Sequence, residues 1–222
     1  MTRLRPAVVA FDVNETLLDL APVRATLVEA GQPESLLGTV FARTLLTGFA
    51  ATVVGDWCSF RDAFDSALAQ ESPLPADTRA TVLDAFAELS PHPDVEPALR
   101  RLTEAGVRVV TLSHGSPGVA QAGLARGGLT PLVAATLTSE AIRAWKPARE
   151  VYLWAAGRCE VAPERLALVA SHGWDVLGAQ RAGLTGAWFP RSERVYPAVY
   201  EAPHVQADDL LGAVEGLLAL PA

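Results

Sequence analysis

The feature that most constrains the fold is an alternation of short apolar runs with helical patterns, interrupted once near the start of the chain. The runs are bounded by polar residues, glycine or proline and are too short for typical helices, which indicates buried parallel strands. They span Ala7 to Phe11, Val107 to Leu112, Leu166 to Ala170 and Ala187 to Phe189. Helical patterns span Pro93 to Ala105, Pro117 to Arg126, Arg149 to Arg158, Asp175 to Ala182 and Asp208 to Leu218. This order predicts an α/β fold with a doubly wound, Rossmann-like parallel sheet.

The interruption lies between residues 21 and 90, where no convincing strand pattern occurs. Helical patterns cover Ser59 to Leu68 and Thr78 to Leu89, and Pro73 and Pro75 separate the two. We therefore predict a helical cap subdomain over residues 21–90, inserted after the first strand. Residues 1–20 and 91–222 would then form the α/β core domain.

Composition limits the partners of the chain. Half of the 222 residues are apolar, which is enough to bury a large core. The formal charge of −7 argues against nucleic acid or an anionic membrane as a partner, so a small anionic substrate would need locally placed cations. No apolar run reaches the roughly 18 residues that span a bilayer. Because Cys58 and Cys159 do not make a disulfide framework, a reducing, cytoplasmic location is expected.

Polar side chains follow the predicted strands at their carboxyl ends, where open parallel sheets bind ligands. Asp12 follows the first strand, Ser113 follows the second, and Asp175 lies shortly after the third. Lys146, which is the only lysine in the chain, precedes a predicted helix. A carboxylate beside an ammonium stays ionised and can act as a covalent nucleophile. We therefore predict that Asp12 is a nucleophile paired with Lys146.

The motif Asp12-x-x-x-Thr16, followed in order by Ser113, Lys146 and Asp175, resembles the four motifs of the haloacid dehalogenase (HAD) superfamily. Longer segments resemble its L-2-haloacid dehalogenase (type II) branch: Leu112-Ser113-His114-Gly115-Ser116, Lys146-Pro147-x-x-x-Val151-Tyr152 and Trp174-Asp175-x-x-Gly178-Ala179. In the segment Phe41-Ala42-Arg43, the arginine occupies the place of a substrate-binding arginine in that branch. The resemblance extends over essentially the whole chain.

The resemblance implies a metal-independent hydrolase without a cofactor, which converts small 2-haloalkanoic acids to 2-hydroxy acids. Asp12 would displace halide and form an ester, and water would then cleave this ester at the Asp12 carboxyl carbon. The implied catalytic residues are Asp12, Thr16, Ser113, Lys146, His172 and Asp175. The implied substrate-binding residues are Asn14, Arg43, His114, Tyr152 and Trp174. Related dehalogenases are often dimers, so a homodimer is one assembly to expect.

Two other functions remain open on the sequence alone. One is a HAD-type phosphatase that acts on a small phosphate ester. Such phosphatases carry a second aspartate two residues after the nucleophile and usually another that binds Mg²⁺, but Asn14 and Ser171 stand at these positions. The other is a HAD-fold protein with an unknown substrate or only a binding role, and the intact pair of Asp12 and Lys146 argues against a binding role.

Several positions depart from the dehalogenase pattern: Asn14 replaces a tyrosine, Ala170 a serine, and His114 and His172 two asparagines. His172 has the largest chemical consequence, since a neutral imidazole can accept a proton near neutral pH. We predict that Asp175 holds His172 and that His172 takes a proton from the water that cleaves the ester. Four aromatic residues are candidate walls of an apolar pocket: Trp57, Phe60, Trp145 and Trp174.

Overall fold

The computed structural model describes residues 3–222 and contains one main parallel sheet flanked by helices. Within these residues the strands are β1 (Val8–Phe11), β2 (Leu18–Asp19), β3 (Ser90–Pro91), β4 (Arg108–Ser113), β5 (Ala135–Thr138), β6 (Leu166–Ala170), β7 (Thr185–Trp188) and β8 (Val205–Gln206). Six of them form the sheet in the order β5-β4-β1-β6-β7-β8, and β2 pairs separately with β3. The chain thus extends the sheet on both sides of β1, which confirms the predicted doubly wound architecture.

The helices of the same residues are α1 (Ala21–Glu29), α2 (Leu36–Val53), α3 (Phe60–Glu71), α4 (Ala76–Asp84), α5 (Val95–Glu104), α6 (Pro117–Arg126), α7 (Arg149–Arg158), α8 (Gly173–Arg181) and α9 (Leu210–Leu218). Short 3-10 turns lie at Ala85–Glu88, Thr130–Leu132, Ser139–Ile142 and Pro163–Arg165. The first four helices and the first 3-10 turn lie between β2 and β3. We refer to residues 21–88 as the helical insertion.

The register of the sheet places the carboxyl ends of β4, β1 and β6 side by side. β1 lies between β4 and β6, and all four of its residues are buried. Phe11 at the end of β1 pairs with Thr111 of β4 on one side and with Val169 of β6 on the other. Asp12, the next residue, therefore lies beside the carboxyl ends of β4 and β6, where the polar loops begin, as the sequence predicts.

The sequence predicts the central elements better than the edges of the sheet. β6, α6 and α7 have the predicted bounds. The sequence predicts neither β5 nor β8, because β5 reads Ala-Thr-Leu-Thr and is only partly buried, so it lacks a continuous apolar run. β7 begins at Thr185, earlier than predicted, because its buried part includes a threonine and a glycine. The helix predicted over Thr78–Leu89 ends at Asp84 and continues as a 3-10 turn.

The helical insertion and the sheet share one hydrophobic core. The rings of Phe60, Phe64 and Phe86 contact one another inside the insertion, with ring centroids 5.0–5.8 Å apart. The same cluster of buried side chains includes Val9 and Phe11 of β1. The insertion and the strand that precedes Asp12 therefore belong to one hydrophobic core.

Among residues 3–222, α2 is the one helix that is long and apolar enough to cross a membrane, with 18 residues and a mean hydropathy of 1.5. The sequence pattern predicts no such segment, because Arg43 interrupts the apolar run. In the fold, α2 turns an apolar stripe inwards, including Leu37, Val40 and Phe41. This stripe packs within the insertion, as the buried face of an amphipathic helix does.

Candidate active site

Asp12 is held at the end of β1 by hydrogen bonds to both carboxylate oxygens. Nζ of Lys146 donates to Oδ1 at 2.8 Å, and Oγ1 of Thr16 donates to Oδ2 at 2.7 Å. The backbone N–H of Ser171 donates to Thr16 Oγ1 at 3.1 Å and fixes the threonine hydroxyl in turn. Burial would raise the pKa of Asp12, but Lys146 and His172 outweigh burial and hold this pKa well below its usual range. The carboxylate is therefore ionised and has one orientation.

The ammonium of Lys146 is completely buried and donates three hydrogen bonds. Its acceptors are Oδ1 of Asp12, Oδ2 of Asp175 at 2.6 Å and the backbone oxygen of Leu112 at 3.0 Å. An ammonium has three donors, so all of them are engaged. Burial lowers the pKa of Lys146, but the charges of Asp12 and Asp175 outweigh this effect and raise it. Lys146 therefore remains a cation between two carboxylates.

Tyr152 fixes Asp175 from the side opposite Lys146. Its hydroxyl donates to Oδ1 of Asp175 at 2.6 Å, and both residues are fully buried. Burial and the charge of Asp175 raise the pKa of Tyr152 well above its usual value, so the hydroxyl keeps its proton and can donate. The prediction that Tyr152 binds substrate is wrong, because its ring packs with apolar side chains of α7 and β6. Tyr152 positions Asp175 instead.

Gly178 leaves room for the Tyr152 hydroxyl. A Cβ atom at position 178 would lie 2.6 Å from Oη of Tyr152 and 2.5 Å from Cβ of Pro147. A side chain there would push Tyr152 away from Asp175 or displace the loop that carries Lys146. This close approach explains the glycine that follows Asp175 in α8.

His172 lies between two carboxylates, and neither of them is Asp175. Its Nδ1 atom is 3.1 Å from Oδ2 of Asp12, and its Nε2 atom is 3.2 Å from Oε2 of Glu15. Burial lowers the pKa of His172, but the hydrogen bonds and charges of Asp12 and Glu15 outweigh burial and raise the pKa to about 10. The resting ring is therefore an imidazolium that donates from both nitrogens. Two predictions were wrong: Glu15 takes the place expected for Asp175, and the resting ring is not neutral.

His114 is a second histidine of the site, and it is neutral. Its ring packs against Trp145 and Trp174, with ring centroids 4.4 and 5.8 Å away. Burial, together with the charge of Lys146, lowers the pKa of His114 well below its usual value. Nδ1 lies 3.3 Å from Oγ of Ser139, whereas Nε2 is buried and has no hydrogen-bond partner among residues 3–222. Nε2 can therefore donate to an anionic atom in the cleft.

The cleft beside Asp12 is enclosed by loops of the sheet and by the helical insertion. Its lining includes Asn14, Ser113, His114 and Trp174 from the sheet side, and Phe41 and Phe60 from the insertion. Oγ of Ser113 donates to the backbone oxygen of Gly115 at 3.3 Å. Phe60 and Trp174 are thus walls, as predicted. Trp145 is buried behind His114, and Trp57 lines a separate surface groove.

Arg43 lies on the outer face of α2. Its guanidinium pairs with the carboxylate of Glu71, and Nη1 donates to Oε1 of Gln70 at 3.4 Å. The side chain is 41% exposed, while Phe41 on the other face stacks on His172 with ring centroids 6.1 Å apart. Two residues along a helix are separated by about 200° around its axis. The prediction that Arg43 binds substrate is therefore wrong.

The surroundings of Asp12 do not fit a divalent cation. Oδ1 faces the ammonium of Lys146 and Oδ2 faces the imidazolium of His172, so a metal would meet two positive charges. At the expected metal-ligand position, Ser171 offers a neutral hydroxyl that lies 3.3 Å from the backbone oxygen of Glu15. Mg²⁺ prefers anionic oxygens. Across residues 3–222, no group of three or more His, Cys, Asp or Glu side chains has the arrangement of a metal site.

Comparison with known proteins agrees with this geometry. Residues 6–183 match the family model described as haloacid dehalogenase-like hydrolase. The chain belongs to the haloacid dehalogenase-like hydrolases. The family and fold predicted from the sequence are thereby confirmed.

This haloacid dehalogenase-like hydrolase is similar to proteins whose names state a reaction. It is 31% identical over 180 residues to (S)-2-haloacid dehalogenase 1 of Pseudomonas sp. (strain CBS-3), covering 78% of this chain and 79% of that protein. It is 27% identical over 214 residues to (S)-2-haloacid dehalogenase of Pseudomonas sp. (strain YL), covering 93% and 92%. The solved L-2-haloacid dehalogenase RSc1362 superposes with a TM-score of 0.89 at 28% identity, over 98% of this chain and 100% of that one.

Three residues of the site are not predicted from the sequence patterns: Glu15, Phe41 and Ser139. Glu15 sits within the first motif with a left-handed backbone (φ 60°), and its carboxylate meets His172. The sequence signal that could have indicated Glu15 is a charged residue in the loop after a predicted strand. Phe41 could have been found from the helical spacing of the buried face of α2. Ser139 follows β5, an edge strand that the sequence does not reveal.

Proposed function

We propose that this hydrolase removes the halogen from 2-haloalkanoic acids and forms 2-hydroxy acids through a covalent ester of Asp12. The observation that carries the proposal is the ionised Asp12 carboxylate, held by Lys146 and Thr16 beside a cleft with aromatic walls. The haloacid dehalogenases named above support the same reaction.

In the first step, an oxygen of Asp12 attacks carbon 2 of the acid, and the halide leaves with the bonding electron pair. The nucleophile has to be ionised and oriented, which Lys146 and Thr16 provide. The new carbon–oxygen bond makes a neutral ester, and the halide carries the negative charge away. A halide leaves without a proton, so the amide of Asn14 is no obstacle to this step.

In the second step, water attacks the carboxyl carbon of the Asp12 ester. The imidazolium of His172 first has to release its proton to solvent. Ester formation removes the charge of Asp12, one of the two carboxylates that raise the pKa of His172, so this release becomes easier. His172 then accepts one proton from the attacking water. The remaining hydroxyl proton passes to the leaving alkoxide as the bond breaks, which regenerates the Asp12 carboxylate and the imidazolium.

The substrate carboxylate needs donors, because burying an unpaired charge is costly. Arg43 pairs with Glu71 and does not line the cleft. His114 and Ser113 both line the cleft, and the buried Nε2 atom of His114 has no hydrogen-bond partner among residues 3–222. We propose that His114 donates to an anionic atom of the substrate, the role that the sequence assigned to Arg43.

A phosphatase is the less well supported alternative. The alkoxide that leaves a phosphate ester needs a proton, and an amide at Asn14 cannot supply one at neutral pH. The imidazolium of His172 and the neutral hydroxyl of Ser171 also disfavour the Mg²⁺ that this chemistry would require. These features favour a leaving group that departs as an anion.

The direct test is a screen for halide release from chloro-, bromo- and fluoroacetate and from both enantiomers of 2-chloropropionate, with and without chelator. Release that persists with chelator and disappears in Asp12→Asn would support the proposal. Single-turnover hydrolysis in water labelled with heavy oxygen should place the label first in Asp12. Chelator-sensitive hydrolysis of an aryl phosphate, without halide release from any haloacid, would support the phosphatase instead.

The domain division, the location and the partners of the chain remain proposals. We propose that the helical insertion acts as a cap, because Phe41 and Phe60 close the cleft beside Asp12. The division into a core domain (residues 1–20 and 91–222) and a cap (residues 21–90) stays a prediction. So do the cytoplasmic location, the homodimer, the lack of a cofactor, and the lack of nucleic-acid and membrane partners.

A further inference from the structure

A second cavity adjoins the cleft between the sheet and the helical insertion. The space directly beside Asp12 measures about 10 Å³, close to the minimum for one water molecule. The neighbouring cavity measures about 280 Å³. Asn14, Phe60 and Ser113 line both spaces. A group bonded to an atom at Asp12 can therefore extend past these three side chains into the larger cavity.

A wider groove also adjoins the cleft, at His172 and Trp174. It opens to solvent and is lined by the carboxylates of Glu15, Glu34 and Glu193. Its three carboxylates and its opening to solvent suit the passage of water and protons. An apolar group gains more from the cavity, which is less open to solvent, than from this groove.

The walls of the cavity of about 280 Å³ are largely apolar. Leu83 and Phe86 line it from the helical insertion, and Val119 lines it from α6. The rings of Phe60 and Phe86 lie edge to face, with centroids 5.4 Å apart. Such aromatic walls can pack against another ring in an offset or edge-on arrangement.

The charged groups at this cavity favour a neutral occupant. Arg61 is already paired with Asp84, with Nη2 and Oδ1 2.8 Å apart. Glu140 adds a carboxylate to the lining. A second negative group on the substrate would therefore face Glu140 and find Arg61 engaged.

We infer that the cavity holds the substituent on carbon 2 of the substrate, and that preferred substrates carry there a neutral apolar group about the size of a benzene ring. An apolar cavity of roughly 150 Å³ is already enough to bind benzene, and this cavity measures about 280 Å³. The inference rests on the proposed dehalogenation, because attack by Asp12 on carbon 2 defines where the substituent points. It assigns acids such as 2-bromo-3-phenylpropanoate, rather than haloacetates, to this site.

The test compares kcat/KM for halide release from 2-bromo-3-phenylpropanoate and from 2-bromopropanoate. We expect the larger acid to be favoured by about tenfold or more. Val119→Phe fills the cavity from α6 and Leu83→Phe fills it from the helical insertion, and each should reduce the ratio of the two kcat/KM values by about tenfold or more. Val161→Phe is the matched control, because Val161 is also half-buried but packs with the side chains of α7 and β6. It should keep the wild-type ratio.

A binding measurement separates this inference from the proposed function. Calorimetry compares the affinities of the wild type for 3-phenylpropanoate and propanoate, neither of which carries a halogen. Tighter binding of 3-phenylpropanoate that is lost in Val119→Phe or Leu83→Phe supports the cavity even if no haloacid is turned over, and then the proposed function is what fails. Equal kcat/KM for the two bromoacids, or a ratio that neither filling variant alters while halide release continues, overturns the inference. If circular dichroism shows that neither variant is folded, the ratio of the two kcat/KM values of the wild type decides.

Discussion

The Nδ1 atom of His172 lies 3.1 Å from Oδ2 of Asp12, the same oxygen that receives the hydroxyl of Thr16. Asp12 is thus flanked by two cations, because Lys146 contacts the other oxygen at 2.8 Å. The charge of His172 in turn depends on Asp12, whose negative charge favours the imidazolium. Conversion of Asp12 to an ester, the proposed first step, would therefore change the protonation of its neighbour.

We predict that the free energy of unfolding of the wild type falls, relative to that of His172→Asn, as the pH rises through alkaline values. Folding raises the pKa of His172 from 6.5 to about 10. The resulting stabilisation is complete below the unfolded pKa and is lost as the pH rises through the folded pKa. Urea unfolding at several pH values between these two limits measures the difference, which asparagine cannot produce because it does not titrate. A difference that stays constant or grows over this range would contradict the raised pKa.

A second prediction concerns the pH profile of turnover. At saturating substrate, kcat should rise with pH as His172 loses its proton in the ester state. Glu15→Gln should move this rise to lower pH, because a neutral amide 3.2 Å from Nε2 no longer favours the imidazolium. Glu34→Gln is the control, since Glu34 lines the same groove and pairs with Arg24. If the two variants have the same profile, Glu15 does not control the protonation of His172.

A third prediction separates the two chemical steps. His172→Asn should release about one equivalent of halide in a burst and then turn over slowly, because the ester has lost the base that activates water. Removing a general base typically costs about 10²- to 10⁴-fold in rate. Mass spectrometry of the stalled protein should show the 1-carboxyalkyl group of the substrate bonded to Asp12 as an ester. Equal slowing of the burst and the steady state, without a trapped ester, would remove His172 from the second step.

A fourth prediction contrasts two candidate binders of the substrate anion. Arg43→Ala should leave kcat/KM within about twofold of wild type, because surface pairs such as Arg43–Glu71 contribute little. His114→Phe keeps a ring against Trp145 but removes the Nε2 donor, and should lower kcat/KM by about tenfold or more, since a hydrogen bond to a charged group contributes about 1.5–3 kcal/mol. A larger loss of kcat/KM in Arg43→Ala than in His114→Phe would show that Arg43 binds the substrate.

A fifth prediction concerns the packing behind Asp175. Gly178→Ala should lower the free energy of unfolding by about 1–3 kcal/mol, because the new methyl group would collide with Tyr152 and Pro147. Gly157→Ala in α7 is the matched control, since nothing among residues 3–222 lies within 4 Å of a Cβ atom there. That substitution should be neutral or stabilise by up to about 1 kcal/mol, as alanine suits a helix better than glycine. Chemical denaturation of both variants decides, and equal effects would rule out the collision.

The sequence predicts the sheet and the central ion pairs because both follow from local patterns. Asp12 directly follows a buried apolar run. The parallel register then places it beside the carboxyl ends of the neighbouring strands. The carboxylates of Asp12 and Asp175 meet the only lysine in the chain. Burying one ammonium requires such partners, so their order along the chain was enough to indicate their convergence.

The remaining contacts depend on side-chain direction, which motif spacing does not contain. Phe41 and Arg43 are two residues apart, yet one stacks on His172 and the other pairs with Glu71 on the surface. The partner of His172 depends on Glu15, whose φ of 60° is uncommon for a residue other than glycine. A motif match therefore locates the loop, while the backbone conformation decides which side chain enters the cleft.

Because Lys146 is buried, the reactivity of its side chain can report how often the structure opens. Lys146 is the sole lysine of the sequence, and its side chain has no exposed surface. Reagents that acylate lysine side chains therefore cannot reach their target until the structure opens around the active site. The rate at which Lys146 is acylated would count these openings. A ligand that keeps the helical insertion closed should slow that rate, without any label having to be engineered into the chain.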